Sequence, residues 1–156
     1  MTEKRRIIVG ISGASGIVYG VRMLEALRAA GLETHLVMTR SAQITLGHEM
    51  PLKPADVFAL ADVNHRVDNL SAAISSGSFE TMGMVVCPCS IRSLSEIATG
   101  VTSSLLSRAA QQPLQLRSSH RDVRLLSSTD FSHRSALRVH LGARFCPLCT
   151  GLAPPS

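Results

Sequence analysis

Tryptophan is absent from this chain, tyrosine occurs once and phenylalanine four times in 156 residues. So few rings leave no platform on which nucleic-acid bases stack, and the net charge of +5 does not form a basic stripe interleaved with aromatics. Residues 1–110 carry ten Lys or Arg against nine Asp or Glu, whereas residues 111–156 carry six Arg, two Asp and neither Lys nor Glu. The basic pI near 9.6 therefore belongs to the last third, and no nucleic-acid partner is expected for the body. Long apolar runs are missing too. No segment reaches the roughly 18 uninterrupted apolar residues of a membrane span. The opening Lys4-Arg5-Arg6 and the apolar run behind it do not make a secretory leader, because glycines and serines interrupt the run and no cleavage site closes it. A cytoplasmic protein without membrane contact is expected. Cysteine is scarce, and Cys87 with Cys89 and Cys146 with Cys149 form two close pairs unlike a secreted disulfide framework. The first pair ends an apolar strand, where free Cys behaves as a small apolar residue. The single C-x-x-C at Cys146 and Cys149, with His133 and His140 nearby, lacks the second pair of a zinc ribbon or finger, so no metal is expected.

What is present begins at Ile7. Ile7-Ile8-Val9-Gly10-Ile11 is a β-branched strand that runs into Ser12-Gly13-Ala14-Ser15-Gly16 and then into a helix. Small residues let the backbone turn sharply and expose the first amides of the helix, where unpaired donors and the helix dipole favour an anion. The glycines at 10, 13 and 16 are spaced G-x-x-G-x-x-G rather than G-x-G-x-x-G, and no acidic residue follows the second strand to hold a ribose. A mononucleotide such as FMN is favoured over a dinucleotide. Such turns also occur for packing alone.

Ile17 to Ala30 reads as an amphipathic helix with Ile17, Val21, Leu24 and Leu27 on one face and Gly31 as its stop. Glu33 to Met38 reads as a second strand, which makes a right-handed β-α-β unit and puts the glycine turn at the carboxyl edge of the sheet. Thr39 to His48 is expected to be helical, Pro51 to Pro54 to break it, and a short helix to follow around Val57 to Ala61. Ser75-Ser76-Gly77-Ser78 reads as a loop, over a ligand or merely at the surface. Met82 to Pro88 is a buried strand, Ser90 to Thr99 a helix, and Val101 to Ala110 helical beyond Gly100. After Ala110 the chain has no run of four apolar residues and no clean period, so no further parallel strand is expected. A parallel sheet brings Gly13–Ser15, Thr39 and Pro88–Ser93 to one edge, with Ser90 also a good helix N-cap.

On these residues the chain resembles the UbiX-type flavin prenyltransferases. The carriers are GISGASG at 10–16 followed by Tyr19-Gly20, ETHLVMT at 33–39, Glu49, ISSGSF at 74–79, GMVVCPCS at 83–90 and SRAA at 107–110. The resemblance implies an α/β, Rossmann-like or flavodoxin-like parallel sheet with helices on both faces. It also implies a homo-oligomer, commonly a dodecamer, that binds FMN and dimethylallyl phosphate. The family transfers the dimethylallyl group to reduced FMN without a metal, and the prenylated flavin serves a UbiD-type decarboxylase. Position by position, Gly13, Ala14 and Ser15 match the FMN loop, and Ser15 also matches a serine near the reacting phosphate. Thr39 and the segment Ser90, Ile91, Arg92 and Ser93 match further flavin contacts. Glu49 matches an acidic residue of the prenyl site, and Arg108 matches an arginine that faces the substrate phosphate. Positive charge and N–H donors at the departing oxygens are what an allylic phosphate needs on leaving.

The resemblance covers residues 5–110. Beyond it the family has an apolar strand ending in Pro-Arg-Glu and a later Phe-Tyr-x-x-Pro segment, and this chain has neither. The expectation is an incomplete FMN-binding domain over 1–110 and a divergent, poorly ordered tail over 111–156, as translation in another reading frame or a gene fusion produces. An FMN-binding remnant without turnover, and a flavoprotein decarboxylase of the same fold, are the alternative functions.

Overall fold

The computed structural model describes residues 5–115, 122–126 and 137–138. The opening strand β1 (Arg6–Ile11) is followed by α1 (Ile17–Ala29), β2 (Glu33–Met38), α2 (Arg40–Glu49), α3 (Pro54–Phe58), β3 (Val63–His65), β4 (Gly83–Val86), α4 (Ile91–Thr99), α5 (Leu105–Gln115), β5 (Asp122–Leu125) and β6 (Leu137–Arg138). Among the described residues the strands form one sheet in the order β3-β2-β1-β4-β5-β6. The first five are parallel, and β6 runs antiparallel to β5 at the edge.

β1 is central because it is apolar on both faces. Ile8 faces a core with Val37, Met84, Val86, Leu105, Leu106 and Ala109, all buried, which is the side covered by α4 and α5. Val9 and Ile11 face the other way, onto Ile17, Leu24, Leu36, Met38, Leu46 and Val57, beneath α1, α2 and α3. This period-two alternation divides the interior into two layers and confirms the expected α/β sheet with helices on both faces.

Four local expectations change. The short helix after the proline break starts at Pro54 rather than Val57, because proline suits a first helical position and the Asp56 carboxylate accepts from the Lys53 amide at 2.8 Å. β3 pairs in parallel with β2, in a segment for which no strand is read from sequence. β5 lies beside β4 in parallel, from Gly83↔Asp122 to Val86↔Leu125, where no strand was expected. Its Val123 and Leu125 are buried and Arg124 is exposed, an alternation too short to stand out in sequence. α5 also continues past Ala110 to Gln115. Most of the tail on which disorder was expected, and Cys146, Cys149, His133 and His140 with it, lies outside the described residues.

Among the described residues no helix is long and apolar enough to cross a membrane, and no group of three or more His, Cys, Asp or Glu is placed to hold a metal ion.

Candidate functional site

β1, β2 and β4 end level with one another: Ile11 lies opposite Met38, and Gly10 lies between Val37 and Val86. The segments that leave these strands therefore meet at one edge. The Thr39 amide donates to the Ile11 carbonyl at 3.0 Å, and the Cys87 amide donates to the Gly10 carbonyl at 2.8 Å. The three segments named from sequence are brought together by main-chain bonds.

In the glycine turn, Gly13 and Ala14 are half-buried and Ser15 is exposed. A Cβ on Gly13 would stand 2.4 Å from Ser41 Oγ and 2.5 Å from Ser41 Cβ, so only glycine lets the turn lie against the start of α2. Gly16 caps α1 with φ of 94°, a left-handed conformation that β-carbon residues avoid. A glycine cap has no side chain to take the first amides of its helix. That need is met by Glu49, the last residue of α2: both carboxylate oxygens accept from Gly16 N at 3.1 Å, and Oε2 also accepts from Ile17 N at 2.9 Å. The helix terminus proposed for a ligand anion thus already holds the protein's own carboxylate.

Thr39 is the N-cap of α2, its Oγ1 accepting from Ala42 N at 3.1 Å and lying 3.0 Å from Ser41 Oγ. Ser90 is the N-cap of α4, accepting from Ser93 N at 3.2 Å and donating to the Ser93 hydroxyl at 3.1 Å. Ile91 is 82% exposed, leaving an apolar side chain at the rim of this edge. Arg92 is exposed and ion-paired with Glu96 at 2.9 Å, one helical turn on. Burial, the largest single effect, raises the Glu96 carboxyl, but the hydrogen bonds from Arg92, Ser103 and Ser107 and the Arg92 charge together bring it below its ordinary range. Arg108 stands exposed in the first turn of α5. α5 packs on the opposite layer from α1 and α2, and among the described residues no hydrogen bond or ion pair joins Arg108 to Ser15 or Glu49.

Two residues went unread in sequence. Ser12, 1% exposed, links the turn to the Pro88–Ser90 segment through its hydroxyl. Ser41 presses on Gly13. Neither carries a spacing signal, because each acts on a segment distant in the chain or across a turn. The Ser75 hydroxyl, by contrast, is bound to the carbonyls of Leu70 and Ala72 at 2.8 Å and holds its own loop. A concavity of about 280 Å³ opens near the ends of β2 and β3, lined by Met38, Arg40, Gln43, Phe58 and Asn64 to Asp68. It includes none of the glycine turn or the α4 cap.

A family model described as Flavoprotein matches residues 1–119. The chain belongs to the Flavoprotein family. Among curated Flavoprotein relatives, it is 53% identical over 114 residues to flavin prenyltransferase UbiX of Escherichia coli K12, covering 72% of this chain and 60% of that protein. It is 46% identical over 114 residues to a probable UbiX-like flavin prenyltransferase of Bacillus subtilis, covering 73% and 56%. The UbiX-type resemblance read from the motifs holds at this level. The chain spans about 60% of the length of the first of these relatives. Among solved structures, AnUbiX (PadA1) in complex with FMN and dimethylallyl pyrophosphate superposes with a TM-score of 0.77 at 41% identity, over 80% of this chain and 65% of that one. A dodecameric FMN-dependent UbiX-like decarboxylase of Escherichia coli O157:H7 gives 0.72 at 44% identity, over 76% and 63%. The peptidyl-cysteine decarboxylase EpiD, at 11% identity and 0.59 over 78% and 69%, shares the fold alone.

Proposed function

We propose that this chain binds FMN at the carboxyl edge of its sheet and is a flavin prenyltransferase of the UbiX type. The observation that carries the reading is the meeting of Gly13–Ser15, Thr39 and Ser90–Ser93 at the ends of three adjacent parallel strands, the place where open α/β sheets take ligands. The residues present fit a phosphorylated, ring-bearing group. Gly13 and Ala14 keep the edge low, hydroxyls of Ser15, Thr39 and Ser90 border it, and Ile91 offers exposed apolar surface. Gly13, Ala14, Ser15, Thr39, Ser90, Ile91, Arg92 and Ser93 would hold the FMN. Bound and reduced, the flavin supplies the nucleophilic ring for alkyl transfer.

The alkyl donor in this reading is dimethylallyl phosphate. Ser15 and Arg108 would neutralise its departing phosphate, Arg108 as a bidentate cation. Glu49, fixed by two backbone amides, would present a carboxylate of set orientation beside the allyl group. The product would pass to a UbiD-type decarboxylase, the protein would act as a homo-oligomer, up to a dodecamer, and its place would be the cytoplasm. Residues 1–110 form the FMN-binding unit in this proposal. Support comes from relatives of about 50% identity that carry the prenyltransferase name.

One observation favours a second reading, FMN binding without turnover. α5, which carries Arg108, packs on the sheet face opposite α2, which carries Glu49, and residues 111–156 contain neither the family's Pro-Arg-Glu nor its Phe-Tyr-x-x-Pro segment. Incubation with reduced FMN and dimethylallyl phosphate, followed by mass analysis of the flavin, distinguishes the two. Prenylated flavin is expected; bound but unmodified FMN selects the second reading, and unquenched FMN fluorescence on titration overturns both.

A further inference from the structure

Between the two turns that border the proposed FMN site stands one residue that holds both, the glycine turn through its main-chain carbonyl and the Pro88–Ser90 segment through its hydroxyl. Ser12 follows β1 directly and is 1% exposed. Its hydroxyl donates to the Pro88 carbonyl at 2.9 Å and accepts from the Ser90 amide at 2.7 Å, while its own amide donates to the same Pro88 carbonyl at 3.1 Å. The chemistry of the neighbouring strand explains the arrangement. The β1–β4 ladder continues to the Cys87 amide on Gly10, but the next amide that alternation would aim at β1, that of Cys89, donates instead to the Leu126 carbonyl at 2.7 Å. A hydroxyl is both donor and acceptor, so beside the backbone bond from its own amide the Ser12 side chain adds a second bond to the Pro88 carbonyl and takes the Ser90 amide.

What it grips matters. On one side its carbonyl accepts from Ala14 N at 2.8 Å, within the glycine turn. On the other it takes the amide of Ser90, the residue whose hydroxyl caps α4. We infer that Ser12 is a positioning residue that sets the separation of the glycine turn and the first turn of α4, so that both face one phosphorylated ligand. This rests on the FMN reading for its ligand, though not for its geometry. Sites of this kind lose affinity when their supporting contacts slacken by about 1 Å, and without the hydroxyl the Ser90 amide has no partner in its place.

The test uses the full chain, with Ser12→Ala, with Ser12→Cys as the near-isosteric variant should Ser12→Ala not fold, and with Leu24→Ala as a control. Leu24 lies in the α1 core, away from this edge. Amide exchange is followed without ligand, and FMN is then titrated by fluorescence quenching. Ser12→Ala is expected to speed exchange at Ser90–Ser93 and Gly13–Gly16 together and to raise the FMN dissociation constant at least fivefold. Leu24→Ala should lower the unfolding temperature while leaving both readouts at wild-type values. Unchanged exchange at Ser90–Ser93, an affinity within fivefold of wild type, or equal losses in Leu24→Ala overturns the inference. Wild-type protein that does not quench FMN rejects the FMN reading instead, and the exchange data then decide the role of Ser12 alone.

Discussion

The carboxylate of Glu49 rests on the backbone amide of Ile17 at 2.9 Å and on that of Gly16 at 3.1 Å. A residue at the end of α2 thereby caps the start of α1, and the two helices hold the glycine turn between them. Glu49→Ala is expected to cost on the order of 1 kcal/mol of stability in urea unfolding, as loss of an N-terminal cap does. Glu49→Gln should cost less, since its carbonyl oxygen still accepts. Equal stability of all three proteins would show that the cap contributes nothing.

Gly13→Ala has a different cause of damage. The new methyl would overlap Ser41 Cβ at 2.5 Å and approach the Ser41 main-chain carbon at 3.1 Å, so α2 has to shift. A loss of about 1–3 kcal/mol is expected, as for overpacking elsewhere. Adding Ser41→Gly removes the overlapped atoms and should recover part of it, a non-additivity that a double-mutant cycle measures.

Cys87 is buried at 0% exposure, and that burial pushes its thiol up to about 11. It is protonated at neutral pH and poorly nucleophilic. Iodoacetamide should leave the Cys87 peptide unmodified in the folded protein and alkylate it fully in denaturant. Peptide mass mapping at neutral pH checks this, and rapid native labelling would contradict it.

Acid stability should depend on β3. His65 Nε2 lies 3.0 Å from His35 Nδ1, and His35 Nε2 lies 3.1 Å from Glu33, which also pairs with Arg6 at 3.2 Å. Burial first, and the neighbouring His35 second, lower the pKa of His65 below its ordinary 6.5. The unfolded chain then binds the His65 proton more readily than the folded one, so stability falls as the pH drops below about 6.5 through the depressed value. Glu33 is held low chiefly by its hydrogen bond to His35, with burial opposing; its contribution is present above about 4.5 and is lost at still lower pH. Urea midpoints measured from about pH 8 to about pH 2 should show both declines, and His65→Asn should remove the first and keep the second.

The chain is most legible where periodicity is long. α1, β2 and α2 lie within a residue or so of their expected bounds, and the carboxyl edge followed from parallel topology. β3 was missed because Val-Asn-His is three residues long with two of them exposed. β5 was missed because Asp-Val-Arg-Leu owes its strand state to pairing with β4 rather than to its own composition. At the site, the residue types near the glycine turn were legible, whereas the partners were not. Glu49 reaches Gly16 across 33 positions and Ser12 reaches Pro88 across 76, and no local pattern reports such distances.

The pairing of β1 with β4 has a consequence for the nascent protein. Gly10 leaves the ribosome long before its neighbour Val86 and the α4 cap at Ser90. Until then the opening β-α-β unit exposes one flank of β1, a vacant edge open to mispairing. Closure of the carboxyl edge in this architecture is therefore a late event of synthesis, timed by the emergence of the fourth strand.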